Sequence, residues 1–193
     1  MIRQKTNTAI SFIAIILGFF MALLDTTIVN ITLPKMTEYF HATVKDMSWV
    51  ANGYNMAFAV MLITASKLAD QFGRKKLFSA GLLLFTISSL LAGVSQNVQM
   101  LIAFRVLQGF SAAFIVPVTV PLAVNLFPPE KHGMVVGLWG AIAGLASASG
   151  PALGGVITQM AGWRAVFFIN LPIGIISMIL VAKRIEESYL YLT

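Results

Sequence analysis

Leu23-Leu24-Asp25-Thr26-Thr27-Ile28-Val29-Asn30 lies at the end of an apolar run that begins near Ala9, and Asp25 is the one charge inside that run. An ionised carboxylate within a membrane costs roughly 2.5 to 3.5 kcal/mol on insertion scales, so such residues face a protein interior or a water-filled path and do chemistry there. The stretch therefore points to a membrane carrier. It does not fit a soluble domain.

Composition agrees. The 193 residues are 58% hydrophobic and 10% charged, with a mean hydropathy of +0.86, against roughly 25% charged residues in a soluble domain. A spanning helix needs about 20 mostly apolar residues. Six segments qualify by eye: about Ala9 to Asn30, Met47 to Leu68, Leu77 to Val94, Val98 to Leu126, Gly133 to Thr158 and Ala165 to Val181. The expected fold class is an all-α membrane protein of six transmembrane helices. The links are short, the longest being Pro34 to Asp46, so residues 1–185 read as one six-helix bundle and residues 186–193 as a short cytoplasmic tail. Arg3 and Lys5 precede the first run as in a secretory signal, but the run is long, carries Asp25 and lacks a small-residue cleavage site, so it reads as a retained span.

The absence of cysteine rules out disulfide, haem-thiolate, iron-sulfur and zinc-thiolate sites, and two lone histidines, His41 and His132, do not build a metal site. The formal charge of +6 raises the question of a nucleic-acid partner. Its distribution answers it. Arg3, Lys5, Lys67, Arg74, Lys75, Lys76, Lys131, Lys183 and Arg184 all fall on one side if six spans alternate, leaving Lys35, Lys45 and Arg164 on the other. By the positive-inside rule both termini are cytoplasmic in a multi-pass cell-membrane protein, and the basicity records topology, with no nucleic-acid partner.

Three helices followed by three more is the pattern of a 3+3 inverted repeat, with Asp25 in the first span and Arg105 in the fourth at corresponding places. Counted at about 1.5 Å per residue from the outer span ends, both charges lie roughly 8 to 10 Å deep. They are expected to couple, directly or through water, because each lowers the cost of the other. The competing reading is that Arg105 only bonds backbone carbonyls and holds helices together.

Three further stretches stand out. Ser66 to Leu77 joins the second and third spans, with Gly73 suited to a tight turn and Asp70 within reach of Arg74; a plain positive-inside anchor would look the same. In the fourth span Arg105, Gln108 and Gly109 share one face, and Pro117 and Pro121 bend the helix. The fifth span carries Gly133, Gly137, Gly140, Gly144, Gly150-Pro151 and Gly154-Gly155, a spacing that serves either a hinge or a static packing seam. Thr27, Asn30, Asn52, Tyr54, Asn55 and Gln108 are candidates for a polar substrate path, against the alternative of interhelical hydrogen bonds; Trp49 and Trp163 read as interfacial aromatics.

Taken in order, these stretches resemble the amino-terminal half of a major facilitator superfamily transporter, in particular the EmrB/QacA-type multidrug/proton antiporters. Leu24 to Pro34 is similar to that branch's first-helix motif. Residues 66 to 78 are similar to the superfamily loop motif through Asp70, Gly73 and Arg74, although Ser66 and Gln71 stand where glycine and arginine are usual. Residues 101 to 113 match the fourth-helix motif through Arg105 and Gly109. Gly144 to Gly155 resembles the fifth-helix motif of exporters, and Gly162 to Gly174 also fits the branch.

The resemblance implies alternating access, with proton entry exchanged for outward movement of a lipophilic, often cationic, drug. Asp25 and Arg105 would serve proton coupling, and Asp70, Gly73 and Arg74 a cytoplasmic latch. Gly144, Gly150, Pro151, Gly154 and Gly155 would bend and seal the fifth helix. No cofactor and no metal is implied, the proton gradient being the energy source, and no covalent chemistry, so the chain is not expected to be an enzyme. Partners are then the bilayer, a small lipophilic substrate, and a second half-transporter or a second copy. The expectation from length is a truncated carrier, whose rival is a non-transporting remnant or interaction-only membrane protein. Protease constellations and ring-forming channel motifs are absent from the sequence.

Overall fold

The computed structural model describes residues 8–185. The expected tail 186–193, and the charges Arg3 and Lys5, lie outside them. The helices are α1 (Thr8–Phe40), α2 (Val44–Phe72), α3 (Arg74–Gly93), α4 (Val98–Val124), α5 (His132–Ala161), α6 (Ala165–Phe168) and α7 (Asn170–Arg184), with a short 3-10 turn at Pro129–Lys131 before α5.

Local sequence sets the ends. Thr43 caps α2, its hydroxyl oxygen accepting from the Asp46 amide at 3.1 Å, and Asn97 caps α4 by accepting from the Met100 amide at 2.8 Å. Gly73, at φ 106°, stops α2 and starts α3 in a conformation costly for any residue with a Cβ. Pro172 falls in the first turn of α7, where no amide donor is needed, and so fits the restart of the helix after Ile169.

One expectation needs correcting. The link expected over Pro34–Asp46 is helical at both ends: α1 runs through Pro34 to Phe40, and only His41, Ala42 and Thr43 connect it to α2. Asp25 thus lies deeper within its helix than counting from Asn30 implied. Pro34 is tolerated because α1 is partly exposed there, so the carbonyl that loses its partner is not sealed in the core. Among the described residues, five helical segments are long and apolar enough to cross a membrane, one of them α6 and α7 taken together as Ala165–Arg184. The 29-residue α2 is long enough but is not one of the five, since Asn52, Tyr54 and Asn55 dilute its apolar middle.

Packing places α1 and α4 at the centre. α4 lies against α2 and α3, α1 against α5 and α7, and α3 touches α7 while α1 touches α4. One apolar cluster gathers Ile15, Phe78, Leu82, Phe85, Ile115 and Leu122; the other gathers Leu24, Ile28, Met36, Val50, Leu101 and Phe167. Outer faces of α2 and α5 stay apolar and uncovered, with Val60 and Ile63 each 72% exposed and Met160 83% exposed. In water such surface would drive aggregation. In lipid, or against another apolar body, it is at home.

Candidate functional site

Asp25 is fully buried where α1 meets α4, between the two apolar clusters. Its Oδ2 forms an ion pair with Arg105 Nη1. Its Oδ1 accepts from Gln108 Nε2 at 3.1 Å and from Asn170 Nδ2 at 2.9 Å. Arg105 is tied down in turn: Nη1 donates to Gln108 Oε1 at 2.8 Å and Nε to the Val50 carbonyl at 3.2 Å. The guanidinium carbon sits 4.2 Å from the centre of the Tyr54 ring, a cation-π contact, and the Tyr54 hydroxyl donates to the Ala22 carbonyl at 3.2 Å.

The helices reach this arrangement through close approaches. Gly109 faces the Tyr54 carbonyl so tightly that a Cβ there would overlap it, bringing α4 onto α2 one turn from Arg105. Gly174 meets the Thr86 hydroxyl in the same way, drawing α7 onto α3. That contact sets Asn170 against Ser89: Asn170 Nδ2 donates to Ser89 Oγ at 3.0 Å, and Ser89 Oγ donates to the Phe167 carbonyl at 2.8 Å.

Five helices, α1, α2, α3, α4 and α7, therefore meet around one carboxylate. The negative charge is neutralised by Arg105 and solvated by two amides, which makes its burial tolerable. A proton delivered to Asp25 would cancel the attraction holding Arg105 and leave the guanidinium to Gln108, Val50 and Tyr54.

The sequence candidates distribute as follows. Asp25, Arg105 and Gln108 come together, and Tyr54 joins them as the face under the guanidinium. Tyr54 and Gln108, read from sequence as lining a substrate path, are enclosed in the packing at 1% and 0% exposure. Thr27 sits under Gly150, with its hydroxyl donating to the Leu24 carbonyl at 3.1 Å. Asn30, Asn52 and Asn55 are exposed, away from the buried network. At the α2–α3 turn, Arg74 Nε and Nη2 donate to Asp70 Oδ1 at 3.1 and 2.9 Å across Gly73. In α5, Gly150 and Gly154 pack on Thr27 and Ile28 of α1, whereas Gly144 and Gly155 have nothing among the described residues opposite them and Pro151 is exposed.

Asn170 and Ser89 were not among the site residues read from sequence. The available signal was an amide within an apolar span, the same one that singled out Asp25, but Asn170 stands at a helix start where an asparagine usually serves the backbone.

Apolar helices closed around a buried acid–arginine pair, with apolar outer faces, define a multi-pass membrane protein. Residues 15–190 match the Major Facilitator Superfamily, and the chain belongs to that family of transporters; it is not an enzyme. It is 41% identical over 169 residues to a tetracenomycin C resistance and export protein of Streptomyces glaucescens, covering 88% of this chain and 31% of that one. It is 40% identical over 179 residues to a methylenomycin A resistance protein of Bacillus subtilis, covering 92% and 38%, and 35% identical over 185 residues to multidrug resistance protein 3 of the same organism, covering 96% and 36%. The chain spans about a third of the length of these relatives. In fold it is similar to a bacterial homologue of the human lysosomal transporter Spinster, in an inward-facing and unoccupied conformation. The TM-score is 0.80 at 17% identity, over 96% of this chain and 45% of that one.

Proposed function

We propose that residues 8–185 form the amino-terminal six-helix half, of 3+3 inverted-repeat design, of an EmrB/QacA-type drug/proton antiporter with both termini cytoplasmic. The observation that carries this reading is the buried Asp25–Arg105 pair with Gln108, a proton-exchanging site shared between the two central helices. The packing supports the repeat: α1 takes α5 and α7 as neighbours just as α4 takes α2 and α3, so exchanging the first three helices for the last three preserves the contacts. The resistance and export proteins among the relatives support a substrate that is a drug or toxic compound moved outward. The uncovered apolar faces of α2 and α5 would meet a second half-transporter or a second copy, closing a cavity around the substrate. Asp70, Gly73 and Arg74 would act as the cytoplasmic latch, and Gly144, Gly150, Pro151, Gly154 and Gly155 as the segment that lets α5 bend against α1.

The test is efflux of a fluorescent lipophilic cation from cells carrying this chain, beside Asp25→Asn at equal membrane abundance. Efflux should stop in the variant and with an uncoupler. Efflux that survives both would overturn the coupling role, and none from a correctly inserted chain would overturn the assignment of activity to these residues alone.

A further inference from the structure

Three side-chain atoms are buried with no hydrogen-bond partner among the described residues: Trp139 Nε1, Thr158 Oγ1 and Trp163 Nε1. Two of them belong to one cavity. Thr158 and Trp163 line a cleft of about 340 Å3 where α1 and α5 end, together with Gly162 and, from α1, Lys35, Glu38 and Tyr39. Its volume falls within the roughly 300 to 1,000 Å3 of small-molecule sites. The cleft shares no residue with the network around Asp25.

Trp163 is 5% exposed, and its ring is packed against Phe40 at 5.4 Å and Phe167 at 6.2 Å, with the Arg164 guanidinium carbon 4.4 Å from its centre. An indole N–H only donates, so what this fixed ring lacks is an acceptor. Thr158 departs from its own kind. Thr26, Thr27, Thr32, Thr37, Thr86 and Thr119 each donate to a carbonyl three or four residues earlier, and Thr158 does not. A buried donor left unmade is costly, so two such donors at one cleft point to a ligand that brings lone pairs.

Charge and position narrow the ligand. Lys35 Nζ pairs with Glu38 Oε2 at 2.9 Å on the rim, and Arg164, stacked on Trp163, spends Nη2 on the Tyr39 hydroxyl at 3.2 Å and the Ser95 carbonyl at 3.1 Å. A terminal phosphate, with a charge of about −1.5 to −2 at pH 7, would be repelled by Glu38. A phosphodiester carries about half that, and an ethanolamine group adds an ammonium that Glu38 can hold. Near the cleft α5 leaves Val156 and Met160 56% and 83% exposed, an apolar surface for acyl chains. Tryptophan and tyrosine at span ends lie at the level of lipid headgroups.

We propose that this cleft holds the headgroup of an ethanolamine phospholipid. Its phosphodiester oxygens accept from Trp163 Nε1 and Thr158 Oγ1 beside Lys35, and its ammonium pairs with Glu38. A lipid held in this way bridges the ends of α1 and α5.

The test uses the chain labelled with 15N at tryptophan, in uncharged maltoside micelles. Trp49, Trp139 and Trp163 each give one indole N–H signal, and that of Trp163 is the one lost in Trp163→Phe. Dihexanoylphosphatidylethanolamine should move the Trp163 proton downfield to saturation and leave Trp49 and Trp139 in place. Thr158→Val, which keeps the side-chain volume, should weaken binding about tenfold, as expected for one hydrogen bond to a charged acceptor. Lys35→Gln, at a side chain 63% exposed and so harmless to the fold, should weaken it about threefold. Dihexanoylphosphatidylglycerol, without the ammonium, should bind more weakly, a difference that Glu38→Gln removes. Inorganic phosphate and dihexanoylglycerol should leave the signal where it is. A shift with inorganic phosphate equal to that with the lipid would make this a free-anion site, and a shift with dihexanoylglycerol would make it apolar contact alone; either overturns the proposal. So does equal binding of the two phospholipids, or an affinity unchanged in both Thr158→Val and Lys35→Gln. No saturable shift with any of them overturns it too, water then serving the two donors.

Discussion

Gly109→Ala and Gly140→Ala add the same methyl group to the middle of two long helices, and the structure assigns them opposite outcomes. At Gly109 the new Cβ overlaps the Tyr54 carbonyl oxygen and lies 3.0 Å from both Tyr54 C and Tyr54 Cα. These are backbone atoms, which cannot swing aside, so α2 and α4 must separate. Separation strains the stack of Tyr54 on Arg105 at 4.2 Å and the bond from Arg105 Nε to the Val50 carbonyl at 3.2 Å. Overpacking of this kind costs about 1 to 3 kcal/mol. At Gly140 none of the described residues lies within 4 Å of the new Cβ. Only the helix propensity changes there, a gain of up to about 1 kcal/mol for alanine over glycine. The two variants should therefore differ by about 1 to 4 kcal/mol in unfolding free energy. The assay is denaturant titration of the purified chain in detergent micelles, followed by circular dichroism. Equal stabilities, or a less stable Gly140→Ala, would refute the argument that close helix approach at Gly109 builds the site.

Removing Arg105 alone as Arg105→Leu strands a buried carboxylate and should cost about 3 to 5 kcal/mol. In the double variant Asp25→Asn/Arg105→Leu the stranded charge is gone, and the same unfolding assay should show a loss well below the sum of the two single variants. Additive losses would mean that the pair is not coupled. Asp70→Asn breaks a surface ion pair whose partners are 35% and 13% exposed, so its effect on stability should stay below about 1 kcal/mol. A larger loss in thermal unfolding would show that the Gly73 turn depends on the pair.

Hydrophobic length made the helices legible, because lipid demands long apolar runs with internally satisfied backbone, and the starts of α3 and α4 were readable to within a few residues. Pro34 misled: read as the start of a link, it sits inside α1, whose end is set by the left-handed His41. The interruption at Ile169 was invisible because Phe167, Phe168 and Ile169 are as apolar as the spans they join. Asp25 and Arg105 stood out because charge is scarce inside the spans. Asn170 did not, since asparagines are common near the helix ends and nothing in a single sequence says which one will face an acid on another helix. The glycines of α5 show the same limit. Their spacing is regular, yet Gly150 and Gly154 are pressed onto α1 while Gly133, Gly137, Gly140 and Gly144 face none of the described residues. Periodicity fixes which residues share a face; it does not say what lies opposite.

The bonds among Asp25, Arg105, Gln108 and Asn170 also bear on how such a chain changes over generations. Each of these side chains has its partner on another helix of the bundle or within the same turn of α4. A replacement at any one of them is therefore judged by the partners it bonds, and all four meet at Asp25. An Arg105 exchanged alone leaves a buried acid without its counter-charge, and an Asp25 exchanged alone leaves a buried cation without its own. Drift through these four positions must pass by way of paired changes, while the exposed outer faces of α2 and α5 are free to vary one residue at a time within the limits set by whatever covers them.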